Sequence, residues 1–153
     1  MNMNDLTPSP ICTLSRRDVR SIMFHLLYAL ESLDYGSSVQ SVVIGFNNEY
    51  ETCIPTEGEI VDTVSDVVAK RVELDEYMLP FLANWRLDRL GCCTRLVLRL
   101  AVWELLYSTT PHTIVINEAI ELAKCFSEKD AYKFVNGILD EAAKKLASET
   151  EQT

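Results

Sequence analysis

The sequence predicts an all-α bundle of about seven helices, and three observations support it. Apolar residues recur at three- and four-residue spacing in the longer segments. No segment requires the two-residue alternation of a half-buried strand, and Pro80 and Pro111 fall where periodic stretches end. With 48% of its 153 residues apolar, and only five glycines and five prolines, the chain has the material for one compact core.

Residues 1–14 show little periodicity and read as a flexible N-terminal arm, 15–147 as a single helical domain and 148–153 as a flexible tail. Ser15 is placed to cap the first helix. From Arg16 to Leu33, Val19, Ile22, Met23, Leu26, Leu30 and Leu33 share one face, and Gly36 is the expected stop. On the opposite side Arg17, Arg20, Phe24 and Tyr28 are expected to form an outward stripe. Arginine beside exposed aromatic rings is what phosphate contact with base stacking requires. Arginines at a helix N-terminus oppose the helix dipole, so another interaction should favour them.

Residues 37–56 suggest a short helix followed by an irregular loop. From Thr56 to Leu79 the valine-rich pattern fits one long helix, which Pro80 ends, and a short connecting helix follows over 81–87. "TRLVLRLAVWELL", residues 94–106, is apolar almost all round apart from Arg95, Arg99 and Glu104, which predicts a helix at the centre of the bundle. After Pro111, Thr113 is positioned to cap a helix carrying Ile116, Ala119, Ile120 and Ala123 on one face. A last helix is expected from about Asp130 to Leu146.

That last segment contains "KFVNGILDEA", residues 133–142, in which Asn136-Gly137 is a strong local hairpin signal. Ala131, Phe134, Val135, Ile138, Leu139, Ala142 and Leu146 keep helical spacing through the dipeptide, so the helix is expected to run on. Glycine there costs about 1 kcal/mol relative to alanine. The helical wheel turns Gly137 outward with Asp130, Lys133, Asp140 and Lys144, where a missing side chain leaves clearance for another molecule. A phosphate could rest against Lys133 and Gly137 while Phe134 offers a stacking edge.

A formal net charge of −9 argues against a protein that grips nucleic acid with its whole surface, so any such contact should be local, weak or assisted. The five cysteines are scattered without a CxxC pair and read as reduced thiols, mostly packing residues. With two distant histidines, metal-ligand spacing is absent, and no cofactor is implied. No apolar run is long enough to span a membrane and the N-terminus lacks a secretion signal, which makes a cytoplasmic protein the expectation. Glu118 and Glu121 have no nucleophile or metal ligand beside them, so no enzyme is expected. Arg99, on a mostly buried helix, needs either an ion pair with Glu118 or Glu121 or a phosphate.

"PHTIVINEAIELAKCFSEKDAYKFVNGILDEA" (111–142), "VLRLAVWEL" (97–105), "RRDVRSIMFHLLYAL" (16–30) and "LPFLANW" (79–85) together resemble the NusB family of transcription antitermination factors. The resemblance implies a NusB-like fold of two packed helical subdomains and a non-catalytic role. That role is to bind the boxA element of ribosomal RNA leader transcripts together with ribosomal protein NusE, within a transcription elongation complex. By position, Arg16, Arg17 and Arg20 match the family's arginine-rich RNA-binding start. Lys133 and Phe134 match the K-F of its last motif, Asp130 an acidic residue at that border, and Arg99 the arginine of its central motif. Tyr28, Asp88 and Thr94 fall where the family meets NusE. Asp18 departs from the pattern, standing where a basic residue is common. The alternative reading is a protein-interaction module, or a homodimer through the aromatic stripe, with reduced RNA binding.

Overall fold

The computed structural model describes residues 14–82 and 85–151. The expected arm, apart from Leu14, and the last two residues of the expected tail lie outside the described residues. Seven α-helices follow in order: α1 Arg16–Ser32, α2 Val39–Tyr50, α3 Glu59–Ala69, α4 Arg71–Met78, α5 Cys92–Tyr107, α6 His112–Phe126 and α7 Ala131–Glu151. Single 3-10 turns stand at Leu79–Phe81 and Leu87–Arg89, in place of the connecting helix expected over 81–87. Among the described residues there is no strand. The chain divides into two compact units, one up to Asp66 and one from Val67, with the boundary inside α3.

In the first unit, Ser15 caps α1 and explains Asp18. The Ser15 hydroxyl oxygen accepts from the Asp18 amide at 3.1 Å, while the Asp18 carboxylate accepts from the Ser15 hydroxyl at 2.8 Å and its amide at 3.3 Å. This reciprocal pair satisfies two orphan donors of the first turn, and its negative charge suits a helix N-terminus that also carries arginines. The helix ends before Gly36: Asp34 and Tyr35 take left-handed conformations at φ 52° and 57°, and the Tyr35 amide donates to the Leu30 carbonyl at 2.9 Å. α2 runs for 12 residues, longer than the sequence suggests. Its return is fixed by Asn47, whose amide group donates to the Ile54 carbonyl and whose oxygen accepts from the Ile54 amide, both at 2.9 Å. The Thr52 hydroxyl donates to the same oxygen at 2.8 Å.

Where one helix is expected over 56–79, the chain breaks at Lys70, which is no longer helical and whose carbonyl accepts from the Leu74 amide at 2.8 Å to start α4. Arg71 reaches back to the Val68 carbonyl at 2.7 Å and occupies one of the acceptors left at the end of α3. α6 begins at His112 with Pro111 in the cap position, so Thr113 is inside the helix and caps nothing. α7 passes through Asn136-Gly137 without interruption and reaches Glu151, beyond the boundary expected at 147.

α5 is the axis of the second unit, packed against α4, α6 and α7. Ten of its residues are buried, from Thr94 to Leu105, as a helix apolar on most sides requires. Arg99 among them is only 5% exposed. Asp75 of α4 holds it with two parallel bonds, Nε donating to Oδ1 at 2.9 Å and Nη2 to Oδ2 at 2.7 Å. The sequence points to a carboxylate on α6, Glu118 or Glu121, for this charge; Asp75 of α4 is one that the sequence does not suggest, and Glu121 lies 3.7 Å from Lys124. Removing Asp75 leaves the Arg99 charge in the interior without this carboxylate, whereas removing Arg99 leaves an Asp75 side chain that is 24% exposed. Asp75→Ala is therefore expected to lower the unfolding free energy by about 3 kcal/mol, read by urea denaturation.

Candidate nucleic-acid interface

The arginine-led start of α1 does not present the stripe that the sequence suggests. Phe24 is 2% exposed and Arg20 is buried as well, so neither forms part of an outward stacking face. The buried arc of α1 includes Leu27 together with Val19, Met23, Leu26 and Leu30, whereas Leu33 is exposed; this turns the apolar side toward Arg20 and Phe24. Phe24 instead meets His25 edge-on at 5.8 Å between ring centroids. Arg17 and Tyr28 stay at the surface, Tyr28 with 46% of its area exposed. Arg16 is exposed and grips Glu59 of α3 through both guanidinium nitrogens, at 2.9 and 2.5 Å. The Arg16 hydrogen bonds, with the charges of Arg16 and Arg20, hold the Glu59 carboxyl below its usual range against a smaller opposing effect of burial. The arginines thus have three different environments: a surface ion pair, an exposed position and an interior one.

In the second unit the start of α7 collects the other candidates. Asp130 precedes the helix in a left-handed conformation, φ 67°, and its carbonyl accepts from the Lys133 amide at 3.1 Å. The Lys133 ammonium lies 3.7 Å from the Asp130 carboxylate with both side chains well exposed, a weak and screened pair. Gly137 is exposed, and a Cβ built on it would meet nothing within 4 Å. Phe134 is half-buried against Trp85, ring centroids 5.3 Å apart at 60°. Trp85 is 61% exposed, a large apolar area for a protein to leave in water. The two rings flank a cavity of about 380 Å³ whose walls include Arg89, Gly91, Glu128 and Lys129.

Two of the residues expected to meet a partner stand differently here. Asp88 is exposed and pairs with Arg86 at 2.8 Å. Thr94 is buried in the first turn of α5, and its hydroxyl donates to Glu128 at 3.3 Å, so it offers no outward contact. Gly91, the N-cap of α5, makes no side-chain cap of its own. The Glu128 carboxylate lies so close to Gly91 that a Cβ there would be 1.9 Å from its oxygen. Gly91 has ordinary extended angles, φ −57° and ψ 146°, so glycine is required for space and not for conformation. Burial, then Cys92 and Glu128, push the neighbouring Cys93 thiol up. Cys53 and Cys125 are exposed, so these two are not packing residues, and Cys92 and Cys93 are partly covered.

The NusB family model matches residues 17–144, nearly the whole described chain. The chain belongs to the NusB family. It is 35% identical over 135 residues to the transcription antitermination protein NusB of Macrococcus caseolyticus, covering 88% of this chain and all of that one. It is 37% identical over 126 residues to that of Staphylococcus epidermidis, covering 82% and 96%. Among solved structures, T. maritima NusB superposes with a TM-score of 0.74 at 30% identity, covering 86% of this chain and 92% of that one. A chain in the crystal structure of a plectonemic RNA supercoil gives 0.73 at 27% identity, covering 86% and 96%. The NusB-like, all-α architecture is therefore the fold of this protein.

Set beside this NusB-family fold, sequence reasoning missed Trp85, Arg89, Glu128 and Lys129. Trp85 belongs to a stretch, "LPFLANW", whose signal was one of resemblance, and nothing local says that its ring reaches Phe134. Glu128 lies 34 residues from Thr94, and only the pairing of α5 and α7 ends brings the two together. Two substitutions follow from this geometry. Gly91→Ala should displace the Glu128 carboxylate and cost about 1 kcal/mol through the lost Thr94 hydrogen bond, with a much smaller cost when Glu128→Ala is already present, measured as a double-mutant cycle in thermal denaturation. Gly137→Ala should raise stability by about 0.5–1 kcal/mol, because its site is an open helix face where only the glycine's propensity is at issue.

Proposed function

We propose that this protein is an RNA-binding antitermination adaptor, not an enzyme, which binds boxA-type leader RNA of ribosomal RNA transcripts together with ribosomal protein NusE and acts within a cytoplasmic transcription elongation complex. The observation that carries the RNA part is the cavity where the exposed Trp85 ring and Phe134 stand beside Arg89 and Lys129. Unstacked bases are held by aromatic faces, and their phosphates by nearby guanidinium and ammonium groups. Lys133 and the bare helix surface at Gly137 extend this face along α7, where a sugar-phosphate backbone can approach closely. The antitermination part is supported by relatives named as transcription antitermination proteins and by the RNA supercoil structure that contains a similar chain.

The first unit contributes through Arg17, and through Arg16 once a phosphate competes with Glu59 for its guanidinium. Arg20 and Phe24, being buried, support the helix and do not take part in base contact. Tyr28 and Asp88 remain the surface positions for NusE. Among the described residues no helix is long and apolar enough to cross a membrane. With a net charge of −9 the cationic face is local, so affinity for RNA alone should be low and a basic partner should raise it.

The test is a titration of boxA-type RNA across a salt series, with and without NusE. Affinity should fall steeply with salt, and Arg17→Ala or Lys133→Ala should each weaken it and reduce the log–log slope by about 1. Trp85→Ala should lose affinity with little change in that slope. Equal affinity for a scrambled RNA in the presence of NusE would overturn the sequence-specific reading.

A further inference from the structure

The cavity at the start of α7 lies wholly within the second unit and is lined by charges that the fold leaves unpaired. Among the described residues Arg89 and Lys129 meet no carboxylate, and Glu128 meets no cation. Asp130, also in the wall, already faces Lys133 at 3.7 Å. Glu128 stands in the link between α6 and α7, where its carbonyl accepts from the Ala131 amide at 3.1 Å. Its carboxylate rests beside Gly91 and accepts from the Thr94 hydroxyl at 3.3 Å, so it is held in place before any ligand arrives. The residue is exposed, and an ionised carboxylate has about four lone-pair sites, so acceptor capacity remains beyond what Thr94 uses.

An RNA phosphate accounts for Arg89 and Lys129 but not for Glu128, which repels it. A nucleobase accounts for the carboxylate as well. Stacked on the exposed Trp85 ring, it turns its polar edge outward from the stack, and a carboxylate beside it accepts only from N–H groups. Guanine presents two such groups side by side, N1–H and the 2-amino group, which match the two oxygens of a carboxylate as an arginine fork does. Adenine and cytosine each present an amino group next to a ring acceptor. Uracil presents a lone N–H between two carbonyls, which a carboxylate repels. The cavity of about 380 Å³ lies in the lower part of the roughly 300–1,000 Å³ range for small-molecule sites, which suits one base.

We propose that Glu128 is a specificity-determining residue of this face, its carboxylate selecting a guanine base that stacks on Trp85 while Arg89 and Lys129 hold the flanking phosphates. The inference rests on the RNA reading above and adds to it the chemical identity of one base.

The experiment uses the full chain and labelled hexauridine strands in which one central position is guanosine, inosine, adenosine or cytidine, read by fluorescence anisotropy at low salt. The guanosine strand should bind about tenfold tighter than hexauridine, as a good bidentate base contact gives. Inosine, which keeps N1–H and lacks the 2-amino group, should lose most of that gain. Glu128→Gln keeps an oxygen for the Thr94 hydroxyl, yet should bring the guanosine and uridine strands within about twofold of each other. Gly91→Ala, which displaces the same carboxylate, should reduce the preference as well, and Trp85→Ala should weaken every strand. Trp85-dependent binding without a guanosine preference, or a preference that Glu128→Gln leaves intact, would overturn the role of Glu128 while the RNA reading stands. A Glu128→Gln protein that loses affinity for all strands alike, with a lower melting temperature, would make Glu128 a support of Thr94 only and overturn it too. Strands that fail to bind, or that bind Trp85→Ala as well as the unaltered chain, would overturn both readings.

Discussion

The second unit depends on one constraint: α5 is apolar on nearly every side and yet carries an arginine in its middle. Such a helix cannot face water, so α4, α6 and α7 must enclose it, and enclosure in turn makes the Arg99 charge costly unless a carboxylate meets it. Asp75 does so in the fork geometry that an arginine and a carboxylate share. This fixes the register of α4 against α5. With α5 enclosed, its N-terminus emerges beside the start of α7, where Glu128, Gly91 and Thr94 meet. The Trp85–Phe134 ring pair, the cavity and the open face at Gly137 all border that corner.

Charge is divided along the chain in a way that the net value conceals. Arginines crowd the start of α1, and a stretch with carboxylates only follows, up to Lys70. The arginines do not act as one cluster, because each is committed differently by its surroundings. Glu59 takes Arg16 at the surface, the core takes Arg20, and Arg17 stays outside. Asp18, which interrupts the basic run, is spent on the capping box and so serves the helix first. Local electrostatics, not total charge, decides where a polyanion or a cationic partner can approach.

The helices were largely legible because their apolar spacing is local and strong, most clearly through Asn136-Gly137, where seven apolar positions outweighed a dipeptide signal. Reading α1 as one outward stripe failed for a related reason. A wheel assigns a direction to each residue, but the width of the buried arc depends on how many neighbours press against the helix, and Phe24 lay at the edge of that arc. The break at Lys70 was invisible because no proline or glycine marks it. It is held by Arg71 reaching back to the Val68 carbonyl, a bond that spacing cannot foresee.

The sequence alone determined an all-α chain, the central position of α5, the unbroken course of α7, an outward Gly137 beside Lys133, and the family to which these motifs point. Those properties follow from periodicity and residue type, which act over a few turns. Only the tertiary structure decided that Asp75 pairs with Arg99, that Phe24 and Thr94 are interior, that Trp85 stands against Phe134, and that Glu128 meets Thr94 and Gly91 at the start of α5. Each of these joins residues that are distant in sequence, or turns on how deeply a helix face is covered. Distance and depth belong to the packed chain and not to any single segment of it.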